Sequence, residues 1–207
     1  MTYLLPRVIG LACALFISVP MVARADSKVP PPVDLISESF IETVRDWSST
    51  QVVLLSIKAR NAKQGDFEQA RIDALDTQWR SELKTDDQPL ITAVLSNPLS
   101  SYLLRIQADS LGVYTAVFVM DAKGLNVGQS AVTSDYWQGD EAKFQKTFPV
   151  SPQAVFIDEP EYDADTASWR AQLNMSIANE SGQAIGSVTV DVNLTELERR
   201  AAAASAS

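Results

Sequence analysis

From Trp169 to Asn179, the apolar residues Ala171, Leu173, Met175 and Ile177 alternate with Arg170, Gln172, Asn174 and Ser176. Period two places all four apolar side chains on one face of an extended strand, so this segment belongs in a sheet buried on one side. The polar set then faces solvent, as in antiparallel sheets with a single helical layer. "ESGQ" (Glu180 to Gln183) turns the chain into "AIGSVTVDVN", a second β-branched run and its antiparallel partner.

Other segments join this pair. "YTAVFVM" (Tyr114 to Met120) reads as a strand, and "DAKG" (Asp121 to Gly124) turns it into "LNVGQSA". "AVFI" (Ala154 to Ile157) reads as a further strand, and "DEPEYDADTAS" as an acidic loop. Between them, "TSDYWQGDEAKFQKTF" (Thr133 to Phe148) places a Tyr-Trp pair before a short helix with Phe144 and Phe148, for which Asp140 is the expected cap.

Helices come first in the chain. Ile36, Phe40, Val44 and Trp47 recur at helical spacing and run into "VVLLSI", apolar on all sides, which predicts one long helix from Asp34 to Asn61. That apolar surplus also predicts a homodimer through this helix. Asp66 is the expected cap of a second helix, with Gln69 reaching back and a stripe of Ile72, Leu75, Trp79 and Leu83. Pro89 and Pro98 open two shorter helical pieces from the first-turn position. Thr195 with Glu198 forms a capping box for a terminal helix, followed by a flexible Ala/Ser tail over 201–207. About five antiparallel strands therefore follow a helical first half, with one short helix after the second strand.

Arg7, the apolar run "VIGLACALFISVPMV" and "ARA" before Asp26 predict a secretory signal peptide over 1–25, and hence a periplasmic or secreted bacterial protein. "DSKVPPPV" (26–33) is a stiff spacer, because three consecutive prolines resist helix and strand alike. The chain has no histidine, and its single cysteine, Cys13, lies in the leader. That removes Ser-His and Cys-His catalysis, thiolate metal sites and disulfides. No catalytic residue, metal ligand or cofactor is expected. Asp158, Glu161, Asp163 and Asp165 lack the glycine and distant glutamate of a calcium loop. A net charge of −9, more acidic once Arg7 and Arg24 leave, repels nucleic acid.

Three stretches carry a family resemblance: "VFVMDAKGLNVGQS", "SDYWQGDEAKFQKTF" and "GSVTVDVNLTELERR". Together, over Asp34 to Arg200, they resemble the PDC, or single-Cache, extracytoplasmic sensor domains. The resemblance implies an α+β fold, a long N-terminal helix packed on a five-stranded antiparallel PAS-like sheet. It also implies a small-molecule pocket between the sheet and the segment containing Asp135, Tyr136 and Trp137. Tyr136 and Trp137 would then stack over a ligand, with Asp135 or Gln138 supplying a polar atom. Tyr114 and Phe118 share a strand face and would line the floor. Gln129 and Ser130 end the second strand, and Gln172 lies on the polar face of its own. Each has a plainer alternative: aromatic core, turn cap or solvated strand face. Many amino-acid-binding members carry an arginine where this chain has Gln138 and Gly139, a departure that bears on carboxylate recognition. A sensor would signal to a membrane-bound sensor kinase, chemoreceptor or transporter. The alternative is an interaction protein of the same fold, without ligand, acting through its long helix.

Overall fold

The computed structural model describes residues 29–206. The signal-peptide reading and the first spacer residues lie outside them. Helices α1 (Glu38–Ser48), α2 (Gln51–Gln64), α3 (Gln69–Glu82), α4 (Pro89–Leu95) and α5 (Pro98–Asp109) precede the sheet. Strands β1 (Tyr114–Met120) and β2 (Asn126–Gln129) form the first hairpin, and α6 (Ala142–Gln145) is a single turn. Then come β3 (Val155–Ile157), β4 (Glu161–Asp163), β5 (Ser168–Ala178), β6 (Ala184–Asn193) and α7 (Leu194–Ser205).

All pairings are antiparallel, in the order β2-β1-β6-β5-β3, with β4 also paired to β5. The five-strand path is the expected α+β arrangement. β4 is an addition, in the segment read as an acidic loop. Its two acids flank Tyr162, whose ring meets Trp169 edge-on at 5.3 Å, while Asp163 pairs with Arg170. Cross-strand partners thus offset the poor strand propensity of acids.

The single long helix is two helices. Ser48, Ser49 and Thr50 hydroxyls donate back to the carbonyls of Arg45, Asp46 and Trp47 at 3.1, 2.8 and 2.9 Å. Such local bonds compete with helix continuation. Thr50 takes extended backbone at ψ 154° and caps α2. Within "VVLLSI", Val53, Leu54 and Ile57 are buried and Val52 is half-buried, while Leu55 is 58% exposed. The surplus behind the expected homodimer is one side chain.

Other caps also move. α3 starts after Glu68 rather than at Asp66, and Leu83 lies past its end. Glu82 is buried instead, its Oε2 accepting the Leu90 and Ile91 N–H groups at 2.8 and 3.0 Å. A carboxylate from α3 thereby caps α4, whose first-turn donors have no intrahelical acceptor. Glu141, not Asp140, precedes α6, and Phe148 lies beyond that helix yet stacks on Phe144 at 5.2 Å. α7 is capped by Asn193, which accepts from the Glu196 N–H at 3.0 Å. The stretch read as a flexible tail is helical as far as Ser205, as consecutive alanines favour.

α1, α2 and α5 cover one face of the sheet, and Val117, Val119, Leu173, Met175, Val188 and Val190 are buried beneath them. The opposite face is not simply solvated. α6 and β3 close part of it, burying Phe118 and Met120 against Phe144 and enclosing Asn174, Ser176, Ser187 and Thr189. Thr189 donates to Asn174 Oδ1 at 2.7 Å, and Asn174 donates to the Phe156 carbonyl at 3.2 Å. Burial is tolerated at Asn174 and Thr189 because their polar atoms are paired, whereas the Ser176 hydroxyl has no partner among the described residues. Among the described residues, no helix is long and apolar enough to cross a membrane.

Candidate functional site

The Tyr-Trp segment runs beside the start of β2. Asn126 donates its N–H to the Tyr136 carbonyl at 3.0 Å, and Gln138 donates to the Gly124 carbonyl at 2.8 Å. Gly124 has φ +80°, and a Cβ there would sit 2.6 Å from the Gly139 Cα, so only glycine fits. Tyr136 is fully buried, stacked on Trp79, and its hydroxyl accepts from Arg60 at 2.7 Å. Burial pushes that phenol above its ordinary pKa despite the neighbouring guanidinium. Trp137 is half-buried against the α3–α4 cluster, its indole N–H donating to the Lys123 carbonyl at 2.8 Å. Asp135 accepts from Gln138 at 2.6 Å and pairs with Arg80 at 3.4 Å. Gln129 accepts from Thr133 at 3.3 Å, and Ser130 Oγ accepts the Val117 N–H at 2.8 Å.

The structure thus gathers Asp135, Tyr136, Trp137, Gln138 and Gln129 into a packed junction between α3 and β2. Tyr114 and Phe118 part company. The register shifts between Tyr114 and Ala116, and that irregularity turns the two rings to opposite sides of the sheet. Tyr114 meets Phe40 edge-on at 5.6 Å in the helical core, while Phe118 joins Phe144.

An open cavity of about 360 Å³ lies instead over the polar face of β5 and β6. Of the predicted residues, Gln172 alone borders it. Its floor is Arg170 and Gln172 of β5 with Asp191 of β6, the last two being cross-strand partners. The walls come from Glu141 and Lys143 at α6, from Asp158 and Glu159 after β3, and from β4. Arg170 pairs with Asp163, lies 3.6 Å from Asp191 and keeps a buried Nε without a partner. Lys143 pairs with Glu141 at 2.9 Å and donates to Gln138 Oε1 at 3.3 Å, so the Tyr-Trp junction braces one wall.

Burial raises the Asp191 carboxyl above the ordinary aspartate value, and the contact to Thr115 and the charge of Arg170 offset part of the rise. Asp163 is held low, chiefly by Thr166. Sequence reasoning passed over Lys143, Arg170 and Asp191. A usable signal existed: Asp191 is the one charge inside "AIGSVTVDVN". Among the described residues, no group of three or more acids is arranged to hold a metal ion.

No family model matches the chain, and no curated protein matches it. Solved structures do. The ligand-binding domain of the Pseudomonas aeruginosa amino acid chemoreceptor PctC, in complex with GABA, is 17% identical with a TM-score of 0.34, over 77% of this chain and 62% of that one. The sensory domain of the Campylobacter jejuni chemoreceptor Tlp3 is 13% identical with a TM-score of 0.39, over 78% and 65%. The ligand-binding domain of the Pseudomonas fluorescens chemoreceptor CtaA, in complex with L-serine, is 15% identical with a TM-score of 0.36, over 76% and 62%. The chain spans less than two thirds of the length of each of these domains.

Proposed function

We propose that this chain is an extracytoplasmic small-molecule sensor domain whose ligand site is the cavity over β5 and β6. The observation that carries the reading is convergence. Polar side chains from α6, β4, β5, β6 and the β3–β4 connection meet around about 360 Å³, a volume suited to a small metabolite. Gln172 and Asp191 stand on paired strands, which hold polar groups more rigidly than loops do.

The same floor offers a route for a signal. Asp191 lies two residues before Asn193, the cap of α7, and Arg170 is opposite Asn193 in the strand register. The Trp169 N–H also donates to Thr195 in the first turn of α7, at 2.9 Å. A ligand that alters the Arg170–Asp191 relation acts where α7 departs, and a membrane-bound sensor kinase, chemoreceptor or transporter would read that helix. Binding can shift α7 only through a difference in affinity between its two positions.

A thermal-shift screen of the mature domain against amino acids, amines, organic acids and nucleobases tests the reading. A ligand at 100 times its Kd adds about 2.7 kcal/mol. The shift should disappear in Gln172→Ala and Asp191→Asn. A binder whose shift survives both substitutions, or a panel without any binder, overturns this site.

A further inference from the structure

We infer that the cavity, taken as the ligand site proposed above, selects an organic cation, such as an aliphatic amine without a carboxylate. Six carboxylates border it against two cations, and both cations are already engaged. Arg170 is held by Asp163 and Thr166 with Asp191 nearby, and Lys143 by Glu141 and Gln138. Arg170 Nε has no partner among the described residues but is buried, so a ligand carboxylate that reaches either charged head group would have to displace a protein carboxylate, and would enter a field of like charge. Asp158, Glu159 and Glu161, by contrast, form no ion pair among the described residues. They are lining residues contributed by the β3–β4 connection and by β4.

One further feature suits an ammonium. The Gln172 side-chain amide has no protein partner among the described residues, and its oxygen can accept from an N–H donor at the floor. Charge complementarity and a neutral acceptor therefore point to one ligand class.

A four-carbon series isolates charge from shape: 1,4-diaminobutane, 4-aminobutanoate and butanedioate, titrated calorimetrically into the mature protein at fixed ionic strength. The diamine should bind roughly tenfold or more tighter than the aminobutanoate, and butanedioate should not bind. Asp158→Asn combined with Glu161→Gln should weaken the diamine roughly tenfold, while Glu180→Gln, on the distant β5–β6 turn, should not. Tighter binding of either carboxylate compound would overturn the cation inference and leave the pocket standing. Absence of binding by all three also overturns it, with the pocket itself judged by the broader screen. Diamine binding that is indifferent to Asp158 and Glu161 would assign it to the acidic surface at large.

Discussion

Tyr136 lies flat on Trp79, with ring centroids 5.4 Å apart, planes 19° from parallel and no solvent reaching either ring. The pair joins α3 to the segment that follows β2, inside a cluster with Ile72, Leu75, Ile91, Val94 and Leu125. Tyr136→Ala should therefore cost about 3–5 kcal/mol, as large-to-small core changes do. Tyr136→Phe keeps the stack but removes the hydroxyl that accepts from Arg60, leaving that guanidinium the Asn126 carbonyl at 3.3 Å and the Gln64 side-chain oxygen at 3.2 Å, and should cost about 1–2 kcal/mol. Urea melts measure both. Equal losses for the two variants would contradict the stack as the dominant contribution.

Asp76 holds the same junction from the helix side. Its Oδ1 accepts the Tyr136 N–H at 2.9 Å and the Trp137 N–H at 3.1 Å, and its Oδ2 accepts from Arg80 at 2.8 Å. Asp76→Ala leaves two part-buried amides without an acceptor and should destabilise by about 1–3 kcal/mol. Hydrogen exchange gives the specific readout: the Tyr136 and Trp137 amides should exchange faster than those of β6. Unchanged exchange at these two amides would show that the contact does not hold the segment.

These contacts explain why strands were legible and the site was not. β5 and β6 announce themselves, because period-two alternation and β-branched runs admit few other placements. The helix break rests on whether three consecutive hydroxyls bond back to their own helix, and 3.6-residue periodicity carries no trace of that choice. Glu82 caps α4 from eight residues upstream, a distance that local capping rules do not span. The Tyr-Trp pair was conspicuous because it is aromatic, and the same property makes it core. The cavity draws polar groups from Glu141 to Asp191, single residues brought together by strand pairing, with no local motif to mark them.

Asp121 supplies a pH-dependent test. It is fully buried at the β1–β2 turn, where its Oδ1 accepts the Lys123 and Leu125 N–H groups at 2.8 and 3.0 Å. Burial raises its carboxyl above the ordinary 3.8, although those bonds and the Arg60 charge oppose the rise. An acid that binds its proton more tightly when folded contributes stability below its unfolded pKa, and loses it as pH rises through the folded value. Asp121→Asn can keep both amide bonds without titrating. Wild type should therefore lose ground to Asp121→Asn as pH rises from below 3.8 toward neutrality. A stability difference constant across that window would contradict the raised carboxyl.

The β4–β5 turn holds one residue in a costly conformation, and relieving it should stabilise the wall of the cavity. Ala167 has φ +50°, in the left-handed region that costs a residue with a Cβ about 1–2 kcal/mol. The turn is fixed around it. Asp163 Oδ1 accepts the Asp165 and Thr166 N–H groups at 2.9 and 3.3 Å, and the Thr166 and Ser168 hydroxyls lie 2.7 Å apart. Ala167→Gly relieves the strain but adds freedom to the unfolded chain, a loss of about 0.5–1 kcal/mol. The net gain should be about 0.5–1 kcal/mol, read as a rise in melting temperature. Ala164→Gly, in the same turn at negative φ, has no strain to relieve and should only lose stability. A gain at Ala164 or a loss at Ala167 would place the strain elsewhere.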